Sequence, residues 1–73
     1  MKLGIYLYTS PFGGKYKHYI FVTDKDNYGY NYIDLTTKNK GWFQLRSLVA
    51  HNLKLIHECD PDKAIDLYPE YFI

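Results

Sequence analysis

The sequence predicts a small, mainly β domain: an antiparallel barrel or a curled five-stranded sheet, with one short helical turn and a short C-terminal helix. Three observations support this. Apolar residues alternate with polar or aromatic ones over several short runs, and turn residues such as Gly, Pro, Asn and Asp separate these runs. Aromatic residues make up 19% of the 73 residues. The chain is short enough for one domain only, residues 1–73, with the barrel over about residues 3–58 and an acidic tail over residues 60–73.

The first two predicted strands form a hairpin. Residues 3–9 alternate, with the aliphatic positions facing inward and Tyr6 and Tyr8 on the outer face. Residues 10–14 contain one Pro and two Gly and predict a turn. Residues 16–23 are partly apolar on both faces, so we expect this strand to lie in the middle of the sheet.

The third predicted strand covers residues 28–35. Three tyrosines spaced by two residues share one of its faces: Tyr28, Tyr30 and Tyr32. Ile33 and Leu35 mark the other face as the inward one. The tyrosine face is therefore expected to point outward, at least in part.

The second half of the chain carries shorter elements. Residues 42–43 predict a short fourth strand, and an apolar spacing of three and four residues from Leu45 predicts a helical turn that ends near Asn52. Residues 53–58 alternate again and predict the last strand. We expect the helical turn to close the barrel.

A short C-terminal helix is predicted to begin at Asp60. Asp60 is a favourable capping residue, and Pro61 occupies the first helical position, where its missing N–H costs nothing. Pro69 is expected to end this helix, which would cover one open end of the barrel.

The order of these segments resembles that of small SH3-like β-barrel proteins of bacteriophages and mobile elements of low-GC Gram-positive bacteria. The resemblance spans about residues 3–58 and is carried by four segments: Tyr30-Asn31-Tyr32-Ile33-Asp34-Leu35-Thr36, Gly41-Trp42-Phe43, Leu45-Arg46-Ser47-Leu48-Val49 and Leu53-Lys54-Leu55-Ile56. It transfers no site residues. It implies a class of role, because such small phage proteins often bind and disable, or redirect, one host protein, for example in nucleic-acid machinery or a defence complex.

Charge, cysteine content and the lack of long apolar runs together indicate where the protein acts. Residues 1–54 carry a net charge of +5 and residues 55–73 a net charge of −4, for a total of +1. Cys59 is the single cysteine and has no partner for an internal disulfide. No leader segment or long apolar run is recognisable, so we expect a cytoplasmic protein without a membrane association.

The candidate chemical motifs are weak. Gly13-Gly14-Lys15 lacks the first Gly and the final Ser or Thr of a phosphate-binding loop and is better explained as a hairpin turn. The spacing of His51, His57 and Cys59 fits no closed zinc pattern, even with Asp60 or His18 as a fourth ligand. A Cys–His nucleophile would need a cleft and an orienting group. We therefore expect no enzymatic activity, no cofactor and no metal.

The aromatic residues are the informative feature, and they allow three interpretations. The first is a protein-binding face, since Tyr and Trp are favoured interface anchors. We expect it to comprise Tyr28, Tyr30, Tyr32, Trp42, Tyr71 and Phe72. The second is single-strand nucleic-acid binding by the same tyrosines with flanking lysines, namely Lys15, Lys17, Lys38 and Lys40, although a net charge of +1 makes it the less favoured reading. The third is that the rings only fill a core. An exposed edge strand in so small a sheet would also favour a homodimer.

Overall fold

A computed structural model describes residues 1–12 and 17–73. Its elements follow the predicted order: β1 (Gly4–Thr9), β2 (Lys17–Lys25), β3 (Gly29–Asp34), β4 (Lys40–Gln44), α1 (Leu48–His51), β5 (Leu53–Glu58), a 3₁₀ turn (Pro61–Lys63), α2 (Ala64–Leu67) and a second 3₁₀ turn (Pro69–Phe72). The predicted turn at Gly13-Gly14 and the predicted start of the second strand at Tyr16 lie outside the described residues. Within those residues, no helix has the length and apolar character needed to cross a membrane.

The five strands form one antiparallel sheet in the order β4-β3-β2-β1-β5. β2 lies at the centre, as its two-sided apolar pattern predicts. Among the described residues, the register shifts as at a bulge in two ladders, in the β1–β5 pairing between Ile5 and Tyr6 and in the β2–β3 pairing between Val22 and Asp24. The β3–β4 pairing runs without a shift.

The sheet is open, so the predicted alternative of a five-stranded sheet is confirmed and closure into a barrel is wrong. β4 and β5 each pair with a single neighbour. A closed barrel hides one face of a sheet in its interior. Here both faces carry large apolar side chains, and separate helical segments cover them, which leaves β4 and β5 as edges.

Two apolar clusters lie on opposite faces of the sheet. We call the first side the α1 face, because Val49 and Ala50 of α1 pack against it; its buried residues are Tyr6, Ile20, Val22, Tyr30 and Phe43. We call the second side the cap face, because residues 61–72, the C-terminal cap, lie on it; its buried residues are Ile5, Phe21, Leu35 and Ala64. The result is a three-layer arrangement with the sheet in the middle.

The outward assignment of the tyrosines is wrong for Tyr6 and Tyr30 and correct for Tyr28, which is exposed just before β3. Tyr6 is buried, and Tyr30 is only 1% exposed. Tyr32 packs against the same cluster, with its ring 5.7 Å from that of Phe43. The inward assignment of Leu35 is nevertheless confirmed, because Leu35 is buried on the cap face. Both sets of alternating residues on β3 face a covering layer.

Local side-chain caps explain the short helical segments. The Ser47 hydroxyl accepts a hydrogen bond from Ala50 N–H at 3.3 Å, and Asn52 Nδ2 donates to Leu48 C=O at 2.7 Å, so both ends of α1 are capped. Asp60 Oδ1 accepts from Asp62 N–H at 3.0 Å, as the predicted capping role requires. α2 ends at Leu67, just before Pro69, as predicted, and Pro69 begins a separate 3₁₀ turn.

Candidate functional site

The structure separates the six predicted partner-binding residues into three places. Tyr30 and Tyr32 belong to the α1-face cluster. Tyr71 and Phe72 belong to the C-terminal cap and pack on the sheet, where the Phe72 ring meets the Phe21 ring edge-to-face at 5.3 Å. The remaining two, Tyr28 and Trp42, are exposed. A partner can therefore reach the ring faces of these last two without any change of the fold.

Trp42 is exposed but held in place. It alternates with the buried Phe43 on β4, so its side chain lies on the opposite face of the strand. Its indole covers Gly29, where a Cβ would fall 2.8 Å from the ring. Its Nε1–H donates to Asp26 Oδ2 at 3.1 Å, and the residue remains 45% exposed. A glycine beneath the ring and an acceptor at its edge thus fix one orientation of the indole.

The Asp26 carboxylate connects both exposed aromatic residues. Its Oδ1 accepts from Tyr28 N–H at 2.7 Å and from Gly29 N–H at 2.8 Å, while Oδ2 accepts from Trp42. These hydrogen bonds, with that of Tyr28 the largest cause, hold the pKa of Asp26 below its ordinary value. The carboxylate is therefore charged at neutral pH and ties the β2–β3 turn to the indole on β4.

Tyr28 completes an exposed surface at this end of the sheet. It is 77% exposed, and its C=O accepts a hydrogen bond from Leu45 N–H at 3.4 Å. Leu45 is also exposed. We call Tyr28, Trp42 and Leu45 the aromatic end. Tyr28 continues the alternation of Tyr30 and Tyr32, whereas Trp42 lies on the opposite face of the sheet. The aromatic end therefore presents apolar groups on both faces at the β3–β4 corner.

The free edge of β4 runs from the aromatic end along the sheet. Leu45 N–H donates to Tyr28 C=O, and Asp34 N–H donates to Asn39 C=O, so every second residue of this segment bonds to β3. The N–H and C=O groups of the intervening residues point away from the sheet: Lys40, Trp42 and Gln44. The Gln44 C=O accepts from Ser47 N–H at 3.1 Å, which ends the edge. No hydrogen bond from the described residues reaches the other outward groups.

His18 and Asp34 form a further polar pair, which sequence reasoning missed as a pair. His18 Nδ1 lies 2.7 Å from Asp34 Oδ2, and Asp34 Oδ1 accepts from Thr36 N–H at 2.9 Å and Thr37 N–H at 3.1 Å. Burial raises the pKa of Asp34, but these hydrogen bonds outweigh burial and leave its pKa below the ordinary value. Oδ1 holds the turn after β3 and Oδ2 joins β3 to β2 through His18, so we assign this pair to the fold. An Asp before two Thr is a local turn signal, but nothing in the sequence points to His18.

The residues weighed as metal ligands or nucleophiles have other surroundings. His57 stacks on Tyr68 of the cap with ring centroids 4.0 Å apart. Burial, and then the Asp60 carboxylate, raise the pKa of the Cys59 thiol, which makes it a poor nucleophile at neutral pH. Cys59 lines a shallow, open cavity of about 600 Å³ beside Lys2 and Glu58. Across residues 1–12 and 17–73, no group of three or more His, Cys, Asp or Glu side chains is arranged to hold a metal ion.

Comparisons of the chain with protein-family models, with curated proteins and with solved structures found no match.

Proposed function

We propose that the chain is a small non-enzymatic accessory protein that binds another protein through the aromatic end. The observation that carries this proposal is the exposure of Tyr28 and Trp42 beside an open sheet edge. Of the other aromatic residues in the described strands, all but Tyr19 belong to the two apolar clusters. Tyr19 is 40% exposed, and its ring meets the Tyr71 ring edge-to-face. Aromatic rings that remain exposed are favoured interface anchors, since they bury a large area with little loss of side-chain freedom.

The immobilised indole supports a binding role over a passive one. Its hydrogen bond to Asp26 and its position over Gly29 mean that little side-chain entropy is lost on binding. The target class follows from the resemblance to phage accessory proteins. The target would be one host protein of the nucleic-acid machinery or of a defence complex. The chain would inhibit or redirect this protein by stoichiometric binding in the host cytoplasm.

Site-specific photo-crosslinking in host lysate tests this proposal. A benzophenone amino acid replaces Tyr28 in one sample and Leu67 in another; both positions are exposed, and Leu67 lies on α2 of the C-terminal cap. We expect position 28, and not position 67, to crosslink one host protein. Tyr28→Ala should then weaken binding of that protein about tenfold or more at an unchanged melting temperature. Equal crosslinking from both positions, or unchanged affinity in the variant, contradicts the proposal.

A single-strand nucleic-acid-binding role is the second candidate. It is favoured by Lys40 and Trp42, which are two residues apart on β4 and share one face. Burial of Tyr6 and Tyr30 removes two of the rings that a stacking platform would have used. Binding of a fluorescent oligothymidine at about 50 and about 200 mM salt separates the candidates, because affinity for nucleic acid falls by orders of magnitude over this interval.

A further inference from the structure

We infer that the β4 edge is a docking site for an extended, acidic segment of a partner protein, which adds to the sheet as a sixth strand. This rests on the proposed binding function and specifies how the partner is held. The first support is the main chain. Lys40 and Trp42 direct both N–H and C=O outward, and Gln44 directs its N–H outward, as derived from the β3–β4 bonding pattern. Such a row of unpaired groups is a template for another strand.

The two edges of the sheet differ in how well they suit strand addition. The β5 edge is broken by the bulge opposite Ile5 and Tyr6, and bulges disturb further pairing. β4 has no bulge in its pairing with β3 and contains no Pro. The β4 edge therefore offers the more regular template.

Charge identifies the chemistry of the incoming segment. No Asp or Glu occurs between Asp34 and Glu58, a stretch that includes all of β4. Lys40 on the edge and Arg46 in the following turn are both exposed. Asp26, whose carboxylate reaches β4, is already bonded to the Trp42 indole, and Lys38 Nζ lies 3.1 Å from the main-chain oxygen of Ile73. Carboxylates on the partner would meet Lys40 and Arg46.

The same geometry disfavours a second copy of this chain as the occupant. In a two-fold antiparallel pairing centred on Trp42, Lys40 faces Gln44, and the flanking Lys38 approaches Arg46 of the other copy. Like charges opposite each other weaken strand pairing.

Trp42 shares a face with Lys40, so an incoming strand would place an apolar residue on the indole and an acidic residue two positions away on the same face.

A peptide probe tests the proposal. The probe is the acetylated, amidated and fluorescently labelled heptapeptide Glu-Thr-Thr-Thr-Val-Thr-Glu, compared with the same peptide carrying Lys for Glu. A third peptide keeps the glutamates but has all of its internal backbone nitrogens methylated. We expect anisotropy to show binding of the first peptide only, because the second has the wrong charge and the third cannot pair as a strand.

Amide hydrogen exchange measured by NMR locates the bound peptide. With the peptide at about ten times its dissociation constant, exchange at Lys40, Trp42 and Gln44 N–H should slow about tenfold. Gly41 and Phe43 N–H, which already bond to β3, should not change. Lys40→Gln should weaken binding about two- to fivefold. The matched variant Lys54→Gln, which removes one exposed charge from β5, should not.

Three results would overturn the proposal: equal binding of the lysine peptide, slowed exchange on β5 in place of β4, or protection of β4 that depends on protein concentration without peptide. The last result would identify a second copy as the occupant. Failure of the acidic peptide together with intact crosslinking from position 28 would reject strand addition alone. Failure of both experiments would reject the proposed binding function as well.

Discussion

Tyr30 and Tyr28 are a natural pair for comparison because they lie two residues apart on one face of the sheet. Tyr30 packs against Phe43 with ring centroids 5.5 Å apart, whereas Tyr28 projects beyond the cluster. We predict that Tyr30→Ala lowers the free energy of unfolding by about 3–5 kcal/mol, since it removes a buried ring and leaves a cavity. Tyr28→Ala should change it by less than about 0.5 kcal/mol. Urea denaturation followed by circular dichroism measures both, and similar losses in the two variants would refute this account of β3.

The Asp34 carboxylate predicts how stability depends on pH. Its folded pKa lies below that of the unfolded chain, so the ionised form stabilises the fold at neutral pH. This contribution is lost as pH falls from about 4 through the folded pKa. We predict that Asp34→Asn lowers the free energy of unfolding at pH 7 by about 1–3 kcal/mol and flattens the loss of stability in acid.

Urea midpoints between neutral pH and about pH 2.5 test this prediction for the wild type and the variant. The exposed Asp66 provides the matched control, and Asp66→Asn should keep the acid response of the wild type. Some acid dependence should persist in Asp34→Asn because the pKa of Asp26 is lowered as well. An unchanged acid response in Asp34→Asn would mean that the ionised Asp34 carboxylate contributes nothing to folding.

The C-terminal cap is the element whose role differs most from the sequence-based expectation. Phe72 meets Phe21 edge-to-face, Tyr71 meets Tyr19 with ring centroids 5.0 Å apart, and Tyr68 stacks on His57. These contacts bind the cap to β2 and β5. The cap therefore replaces a second sheet as the cover of this face, and its aromatic residues act in folding.

Adjacent residues of the cap test this role. We predict that Phe72→Ala lowers the free energy of unfolding by about 2–3 kcal/mol, because it removes the aromatic contact with Phe21. The loss is limited to this range because Phe72 is only half-buried. Ile73→Ala should leave stability within about 0.5 kcal/mol, since Ile73 is 96% exposed. Thermal melts of both variants provide the measurement. A stable Phe72→Ala variant with weakened partner binding would restore Phe72 to the interface.

In the whole molecule, the two apolar clusters share the central strand. β2 contributes Ile20 and Val22 to the α1 face and Phe21 to the cap face. Loss of either layer exposes a face of the same strand to water. We therefore predict a single cooperative unfolding transition, as is usual for a domain of this size.

Three probes in one urea titration check this prediction. Trp42 fluorescence reports on β4, the Ala64 methyl NMR signal on the buried side of the cap, and far-ultraviolet circular dichroism on the backbone. We expect the three midpoints to coincide. Loss of the Ala64 signal at lower urea would show that the cap detaches before the sheet unfolds.

The sequence by itself determined the local structure. The last strand at residues 53–58, the end of the helical turn near Asn52 and the cap at Asp60 all match the prediction, although the helical turn begins at Leu48 and was expected from Leu45. Their signals are alternation and side-chain capping, which act between residues a few positions apart. The exposure of Tyr28 and Trp42 is also consistent with the sequence prediction, whereas their link through Asp26 was not recognised.

Only the tertiary structure decided which residues are buried. Alternation places Tyr30 and Ile33 on opposite faces of β3. Both sets of alternating residues contain apolar side chains, so the alternation does not show which face another layer covers. That depends on α1 and the cap, which come later in the chain and supply one layer each. The pairing of His18 with Asp34, 16 residues apart, likewise depends on the register of β2 against β3. Burial is a property of the assembled layers, so residue spacing within one strand cannot specify it.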